Sequence, residues 1–146
     1  MKREVPIDDG RCFACGPENP IGLRLRFETL DEAHVRAEIV LATDFAGWKG
    51  IAHGGIAMAL LDEGMAHAAA AAGFRGMTGS MNVRFRAPVP LERTLAVTGE
   101  VRWIRRNVLG LHAEVREDER LLVEGDGNFV AKGRLDEASD RRSAPA

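Results

Sequence analysis

The chain has 146 residues, of which 45% are hydrophobic and 29% charged, and its formal net charge is −2. This length fits one domain with a sizeable core. The balanced charge argues against a broad nucleic-acid surface, because neutralising phosphates requires a basic excess. No apolar stretch follows the basic residues near Met1, so no signal peptide is expected and the sequence predicts a cytoplasmic protein.

Residues 1–20 form a polar, turn-rich leader that contains Cys12 and Cys15 in Cys-x-x-Cys spacing. A complete zinc site needs four ligands, so metal binding here would have to recruit one of the four histidines or a second subunit. A thioredoxin-type redox motif would need a βαβ context, which the pattern does not show. A structural turn is the favoured interpretation, and no metal or cofactor is expected.

Two strands are predicted before the first helix. Residues 23–27 alternate leucine or phenylalanine with arginine, the period-two pattern of a half-buried strand. Residues 35–39 are expected to form its antiparallel partner, after a turn at Asp31 and Glu32. A glycine-rich loop, residues 45–50, leads from this hairpin to the helix.

A long helix is predicted from about residue 54 to residue 72, with Gly73 as its stop. At 1.5 Å per residue it would span roughly 28 Å. Apolar residues occupy nearly every side, so we expect it to be buried all round. Asp62, Glu63 and His67 lie in its middle, which a membrane span would rarely tolerate, and no membrane association is expected.

Four further strands are predicted after the helix, with Pro88 and Pro90 separating the first two. They cover residues 81–87, 95–103, 109–115 and 121–130. Residues 135–146 are polar and are expected to be a disordered tail, which leaves residues 21–134 as the folded domain. One antiparallel sheet around one central helix is an α+β arrangement. A single helix cannot cover both faces of the sheet or protect its edges, so a dimer or tetramer is expected.

The segment His53-Gly54-Gly55 opens the predicted helix. Two glycines leave the first backbone N–H groups open, and these donors, with the helix dipole, are able to hold a carbonyl oxygen that gains negative charge. The alternative is that both glycines only allow close packing of the helix on the sheet.

Asp62 and Glu63 interrupt the apolar helix, where an ionised carboxylate is costly unless it is paired or faces water. For Asp62 we favour a role as general base or nucleophile, and for Glu63 a local contact with His67 at i, i+4. His53 and Asp62 are nine residues apart, about 13 Å along the axis and half a turn out of phase. Together they therefore predict a site that is shared between two subunits.

Three segments resemble the hotdog-fold acyl-CoA thioesterases, in particular their phenylacetyl-CoA-thioesterase-like branch. They are the leader, Cys-Phe-Ala-Cys-Gly-Pro-Glu-Asn-Pro-Ile-Gly-Leu at 12–23; His53-Gly-Gly, with Asp62 nine residues after the histidine; and Met-Asn-Val-Arg-Phe-Arg-Ala-Pro at 81–88. The resemblance covers about residues 12–134. It implies a hotdog fold, in which an antiparallel sheet wraps around one long helix.

The resemblance also implies site roles. Asp62 would be the base or nucleophile, presented from the neighbouring subunit. The N–H of Gly54, supported by His53 and Gly55, would polarise the thioester carbonyl. A hydroxyl on the following strand would orient the water or the acid, and alignment gives Thr78, with Ser80 as the alternative.

One departure from the resemblance lies before the histidine. Relatives often have Asn or Gln six or seven residues before it, where this chain has Gly47 and Ala46. Another group or a water molecule would have to take over that contact, or the activity would be weak.

The strand after the helix is expected to contact the CoA end of a substrate. Arg84 and Arg86 share one sheet face by alternation, and arginine forks bind phosphate well. Ser80 and Asn82 are expected to contribute to substrate binding. An adenine ring would stack on Trp48 or Trp103, although a buried role is favoured for both.

The predicted function is hydrolysis of an aryl or short- to medium-chain acyl-CoA to the free acid and CoA. The first alternative is a non-catalytic module that binds acyl-CoA, which the missing Asn or Gln favours. The second is a hotdog hydratase or dehydratase, which the spacing of His53 and Asp62 fits less well.

Overall fold

The computed structural model describes residues 5–134, so the predicted disordered tail lies outside the described residues. One helix and eight strands form in chain order, with a 3-10 turn at Thr43–Phe45. The elements are β1 (Glu28–Thr29), β2 (His34–Val40), β3 (Ala46–Trp48), β4 (Ile51–Ala52), α1 (Gly54–Ala71), β5 (Phe74–Phe85), β6 (Thr94–Arg105), β7 (Val108–Glu117) and β8 (Arg120–Arg134).

Six of the strands form one antiparallel sheet in the order β1-β2-β6-β7-β8-β5. In its centre, Val97 lies opposite Ala37 on one side and Val115 on the other. The remaining strands, β3 and β4, form a short hairpin immediately before α1. Because β5 is the last strand in the order, one of its edges has no partner strand within residues 5–134.

Helix α1 packs on one face of this sheet and confirms the predicted α+β architecture. Its buried face includes Leu60, Leu61 and Met65, which are at most 1% exposed. Burying each such side chain stabilises the fold by about 1.5–3 kcal/mol. The opposite face is only partly covered within residues 5–134, and Met58 there is 38% exposed. The burial on all sides that the sequence predicted is therefore not reached within these residues.

The helix approaches the sheet most closely where two glycines meet. A Cβ added at Gly99 of β6 would lie 1.9 Å from the carbonyl oxygen of Gly64, in the middle of α1. A Cβ at Gly64 would in turn lie 3.0 Å from the carbonyl oxygen of Thr98. The absence of both side chains thus sets the distance between helix and sheet.

Gly99→Ala is expected to destabilise the protein by about 1–3 kcal/mol or more, because the added methyl group must push backbone away from backbone. Urea unfolding measures this change. The control is Gly79→Ala in β5, whose Cβ would meet its nearest atoms at 3.4 Å. Equal stability of the two variants would contradict the close approach of α1 and β6.

The strand predicted at residues 23–27 does not form, and the first strand begins only at Glu28. The alternation itself is present, because Leu23 and Leu25 are buried and the arginines between and after them are exposed. Arg24, however, has a φ of 59°, in the left-handed region that interrupts a strand. The segment hydrogen-bonds to the leader instead: Leu23 N–H donates to Phe13 O and Leu25 N–H to Ala14 O.

The predictions for the other elements differ mainly in length. The helix is confirmed and ends at Ala71, one residue before the predicted end, and the strands at residues 35–39, 95–103, 109–115 and 121–130 are confirmed with small extensions. Strand β5 begins at Phe74, seven residues before the predicted strand at 81–87, and ends at Phe85, two residues before its predicted end. The early start was not predicted because the first half of β5 has no alternating pattern and contains register shifts at Arg75/Gly76 and Thr78/Ser80. The loop predicted at 45–50 contains β3, which pairs with β4 directly after it in a hairpin that was not predicted. No helix within residues 5–134 has the length and apolar character needed to cross a membrane.

Candidate functional site

The N-terminus of α1 is organised by His53, which is its N-cap residue. The Gly55 N–H donates to His53 Nδ1 at 2.9 Å, so a neutral imidazole carries its proton on Nε2. The N–H groups of Ile56 and Ala57 donate to the His53 carbonyl oxygen. The Gly54 N–H, at the first helical position, has no acceptor within the helix and is the donor left open.

The space around Gly54 does not support the packing explanation for this glycine. A Cβ at position 54 would meet only the edge of the Phe85 ring, at 3.8 Å, which is ordinary van der Waals contact. Gly55 is tighter, since its Cβ would lie 3.1 Å from His53 Nδ1. The fold of the single chain therefore does not require glycine at 54.

A largely apolar cleft of about 420 Å³ opens beside Gly54. Two large aromatic side chains line it, Trp48 at 79% exposure and Phe85 at 55%. The buried role favoured for Trp48 is thus wrong, and Trp103, 43% exposed, is not buried either. The cleft is lined by Trp48, Ile51, Ala52, Gly54, Ala57, Phe85, Arg86, Ala87, Pro88 and Val89, none of which is a carboxylate.

Asp62 is half-buried on α1 and faces strand β5. The Thr78 hydroxyl donates to Asp62 Oδ1 at 2.6 Å. Ser80, the alternative to Thr78, accepts a hydrogen bond from Asn128 Nδ2 at 3.1 Å instead. The register shift between Thr78 and Ser80 accounts for their different partners. Of the two candidate hydroxyls, Thr78 is the one that contacts Asp62.

Gly54 and Asp62 lie on one continuous helix, eight residues apart. This spacing separates them by about 12 Å along the helix axis. The structure thus keeps apart, within one chain, the two groups that the sequence predicts to act on one substrate.

At Gly47, one of the two positions where relatives often have Asn or Gln, a side chain would be sterically hindered. A Cβ at Gly47 in the β3–β4 hairpin would lie 2.9 Å from His53 Cα and 3.4 Å from its backbone nitrogen. A longer side chain at this position would push the hairpin away from the N-cap residue. The hairpin is fixed there, because the His53 N–H donates to the Phe45 carbonyl oxygen at 2.9 Å.

Arg84 and Arg86 lie on the same sheet face, but both are ion-paired. Arg84 contacts Glu124 at 3.1 Å and Asp126 at 2.8 Å, and Arg86 contacts Glu124 at 3.0 Å. The hydrogen bonds from Arg84 and Arg86 lower the pKa of Glu124 below its ordinary value. A phosphate would have to exchange with these carboxylates.

Ser80 and Asn82 line a second concavity of about 450 Å³ on the sheet. Trp103 and Gly110 form its opposite side, where the indole occupies the space that a Cβ at Gly110 would fill. Neither Ser80 nor Asn82 lines the cleft beside Gly54.

Glu63 belongs to a cluster that the sequence predicted only in part. Its expected contact with His67 is present, Nε2 to Oε2 at 3.2 Å, and Cys12 Sγ lies 3.5 Å from Oε1. Burial raises the pKa of Glu63, whereas the contacts with His67 and the two thiols lower it by a larger amount. The net pKa of Glu63 is therefore below its ordinary value. Burial and the Glu63 charge raise the pKa of the Cys15 thiol well above its usual range.

Known proteins share both the sequence pattern and the fold of this chain. The sequence profile of the thioesterase superfamily matches residues 49–124. A crystal structure of a thioesterase superfamily protein is 27% identical, with a TM-score of 0.79, over 87% of this chain and 67% of that one. Among curated proteins, no sequence matches significantly.

Two further solved structures are similar in fold. A Streptococcus mutans protein bound to acetyl CoA is 17% identical, with a TM-score of 0.71, over 75% of this chain and 90% of that one. The E. coli PaaI protein from the phenylacetic acid degradation operon is 18% identical, with a TM-score of 0.71, over 77% of this chain and 82% of that one. At these identities the two structures support the fold alone.

Proposed function

The chain belongs to the thioesterase superfamily and has its hotdog fold, and from this premise we propose that it hydrolyses an acyl-CoA thioester to the free acid and CoA. The observation that carries the proposal is the Asp62 carboxylate, half-buried on α1 and held by the Thr78 hydroxyl at 2.6 Å. A carboxylate fixed in this way has a defined direction in which it takes a proton or attacks a carbonyl carbon.

We place the complete site between two copies of the chain. The cleft beside Gly54 has an open N–H donor but no carboxylate, and Asp62 lies about 12 Å away along the same helix. Asp62 faces β5, the strand whose outer edge is unpaired within residues 5–134. An unpaired edge readily adds another strand. A two-fold pairing there would bring Asp62 of one copy towards Gly54 of the other.

In this site the thioester carbonyl oxygen accepts a hydrogen bond from the Gly54 N–H. Asp62 of the other copy removes a proton from the attacking water, or attacks the carbonyl carbon itself and is released by water. The carbonyl oxygen gains negative charge as the new C–O bond forms, and the N–H and the helix dipole stabilise that charge. The C–S bond then breaks, and the CoA thiolate leaves and takes up a proton.

His53 and Gly55 act as positioning residues in this proposal. The Gly55 N–H is used by His53 Nδ1, so it does not reach the substrate. Its hydrogen bond fixes the orientation of the imidazole, so that a neutral ring carries its proton on Nε2.

The cleft beside Gly54 suggests the acyl class. Trp48 and Phe85 offer flat apolar surfaces that fit an aryl or a short- to medium-chain acyl group. Arg84 and Arg86 are proposed to contact CoA phosphates in exchange for Glu124 and Asp126, with Ser80 and Asn82 beside them on β5. The acetyl CoA bound to the Streptococcus mutans protein is consistent with an acyl-CoA ligand. A cytoplasmic location stays a prediction.

Thiol release from a panel of aryl-, short- and long-chain acyl-CoAs tests the proposal. Turnover of at least one substrate would support hydrolysis, and the panel would define the acyl class. Saturable binding without thiol release would favour the non-catalytic acyl-CoA module, for which the absence of an amide side chain at Gly47 is the supporting observation.

Thr78→Val is expected to lower kcat about 10–100-fold with little change in KM, because one hydrogen bond to a charged group is lost. Valine has the same shape and a high strand propensity, so β5 should be retained. Thr78→Ser keeps the hydroxyl and is expected to recover most of the activity. If Val and Ser variants were equally active, the contact with Asp62 would have no role in turnover.

A further inference from the structure

The leader places both cysteines of the chain against α1. The ligand atoms of Cys12, Cys15 and Glu63 all lie within 4.8 Å of one another, and all three residues are half-buried. The cysteines are 48 or more positions before Glu63 in the sequence, so the fold, and not the local motif, assembles this group. It lies outside the cleft beside Gly54.

The backbone of the leader holds the two sulfur atoms on the same side. The Cys15 N–H points at Cys12 Sγ at 3.4 Å, and the Gly16 N–H donates to Cys12 O at 2.8 Å. A Cβ at Gly16 would lie 2.4 Å from Cys12 N, so only glycine permits this turn. A backbone N–H directed at a sulfur atom favours its negatively charged, metal-binding form.

A fourth candidate ligand, and a third ligand type, lies one helical turn beyond Glu63. His67 Nε2 is 3.2 Å from Glu63 Oε2, and the imidazole stacks on Phe27 with ring centroids 4.5 Å apart. The stacking fixes the ring plane. Neutral imidazole, thiolate and carboxylate are the ligands that Zn²⁺ takes in proteins.

One atom of the group lacks a hydrogen bond. Glu63 Oε2 is fully buried and has no hydrogen-bond partner within residues 5–134, although His67 Nε2 lies 3.2 Å away. A buried carboxylate oxygen without a hydrogen bond is costly. A cation between the carboxylate, the imidazole and the sulfurs would remove that cost.

We propose that Cys12, Cys15, Glu63 and His67 bind one thiolate-preferring divalent transition-metal ion, with Zn²⁺ as the best match. Zinc bonds of about 2.0–2.3 Å in a tetrahedron place neighbouring ligand atoms roughly 3.3–3.8 Å apart. Glu63 Oε2 lies 3.2 Å from His67 Nε2 and Glu63 Oε1 lies 3.5 Å from Cys12 Sγ, so each carboxylate oxygen has one candidate ligand atom close to that range. Cys12, Cys15 and Glu63 lie within 4.8 Å of one another, and His67 approaches this group through Glu63, so side-chain rotations would have to bring the four ligand atoms together. Mg²⁺ and Ca²⁺ prefer oxygen ligands and do not fit two thiols.

The ion would cross-link the leader, through Cys12 and Cys15, to helix α1. Glu63 directly follows Asp62, so the metal would fix the helix turn that presents the proposed catalytic carboxylate. This site differs from the expectation of a structural turn without metal, which rested on the number of ligands that the local motif supplies.

Metal binding to the untagged, reduced full-length chain tests the proposal. After exposure to Zn²⁺ and dialysis, about one equivalent per chain is expected by elemental analysis, as a single four-ligand site requires. With Co²⁺ in place of Zn²⁺, a thiolate-to-metal charge-transfer band and intense visible bands of a tetrahedral ion are expected. Cys12 and Cys15 are the chain's only cysteines, so that band reports on this site alone.

Matched variants assign the ligands. Cys15→Ser is expected to lose the charge-transfer intensity of one thiolate, and His67→Ala to weaken Zn²⁺ binding at least about 10-fold. The control is His34→Ala, because His34 also contacts carboxylates, Asp31 and Glu100, but no sulfur. Retention of well under one equivalent of zinc by the folded wild type, with no thiolate band from Co²⁺, would overturn the proposal even if a variant failed to fold. The thiols would then be only hydrogen-bond donors to Glu63.

Discussion

Asp62→Asn is expected to lower kcat for acyl-CoA hydrolysis by at least about 100-fold, the usual loss when a catalytic acid/base is removed. Asparagine has nearly the same shape, and its carbonyl oxygen still accepts the hydrogen bond of Thr78. The fold and the acyl-CoA affinity should therefore change little. What is lost is the negative charge that takes the proton of water or attacks the thioester.

Thiol release under saturating substrate measures this loss. The matched control is Asp118→Asn, the same chemical change in the exposed turn between β7 and β8, where asparagine tolerates the φ of 51°. The control should keep wild-type activity. Equal kcat of wild type and Asp62→Asn would refute the carboxylate mechanism and leave acyl-CoA binding as the better account of the chain.

Local sequence rules predicted the central elements well because their signals are periodic. Helix α1 begins at Gly54 and stops before Gly73, whose φ of 93° suits glycine. The central strands alternate clearly, since one face packs on α1. Thr78 was predicted from a resemblance to known thioesterases and not from local propensity. Such a resemblance reflects contacts between distant residues, which propensity alone does not describe.

The remaining features depend on contacts between distant residues. The first half of β5 has no alternation and forms because β8 extends to Arg134 beside it. The 23–27 segment has the pattern of a strand, but Arg24 has a left-handed conformation and the segment hydrogen-bonds to the leader instead. Cys12 and Glu63, 51 residues apart, meet only in the folded chain. No local pattern predicts such pairs.

Gly54→Pro is expected to lower kcat about 10²–10³-fold, because it removes the backbone N–H proposed to hold the carbonyl oxygen. Proline suits the first helical position, and the preceding residue must be extended. His53 meets that need with φ −57° and ψ 138°. The substitution thus deletes one donor while the helix is retained, which circular dichroism and thermal unfolding would verify.

Gly54→Ala is the matched control for this donor. It adds a side-chain carbon at the same position, 3.8 Å from the Phe85 ring, but keeps the N–H. We expect it to be far more active than the proline variant. If alanine and proline reduced kcat equally, steric filling of the cleft would explain the loss and the N–H would have no special role.

Mixing the two inactive chains, Asp62→Asn and Gly54→Pro, distinguishes a shared site from a site within one chain. In a mixed dimer, one site combines both defects, whereas the other combines the intact Asp62 of one chain with the intact Gly54 of its partner. Random pairing makes half of the dimers mixed, so about a quarter of wild-type activity should return if each two-fold interface contains two sites. Recovery requires the two groups to come from different chains. With chain exchange verified, activity no greater than that of the separate variants would show that Asp62 and Gly54 do not act together across an interface.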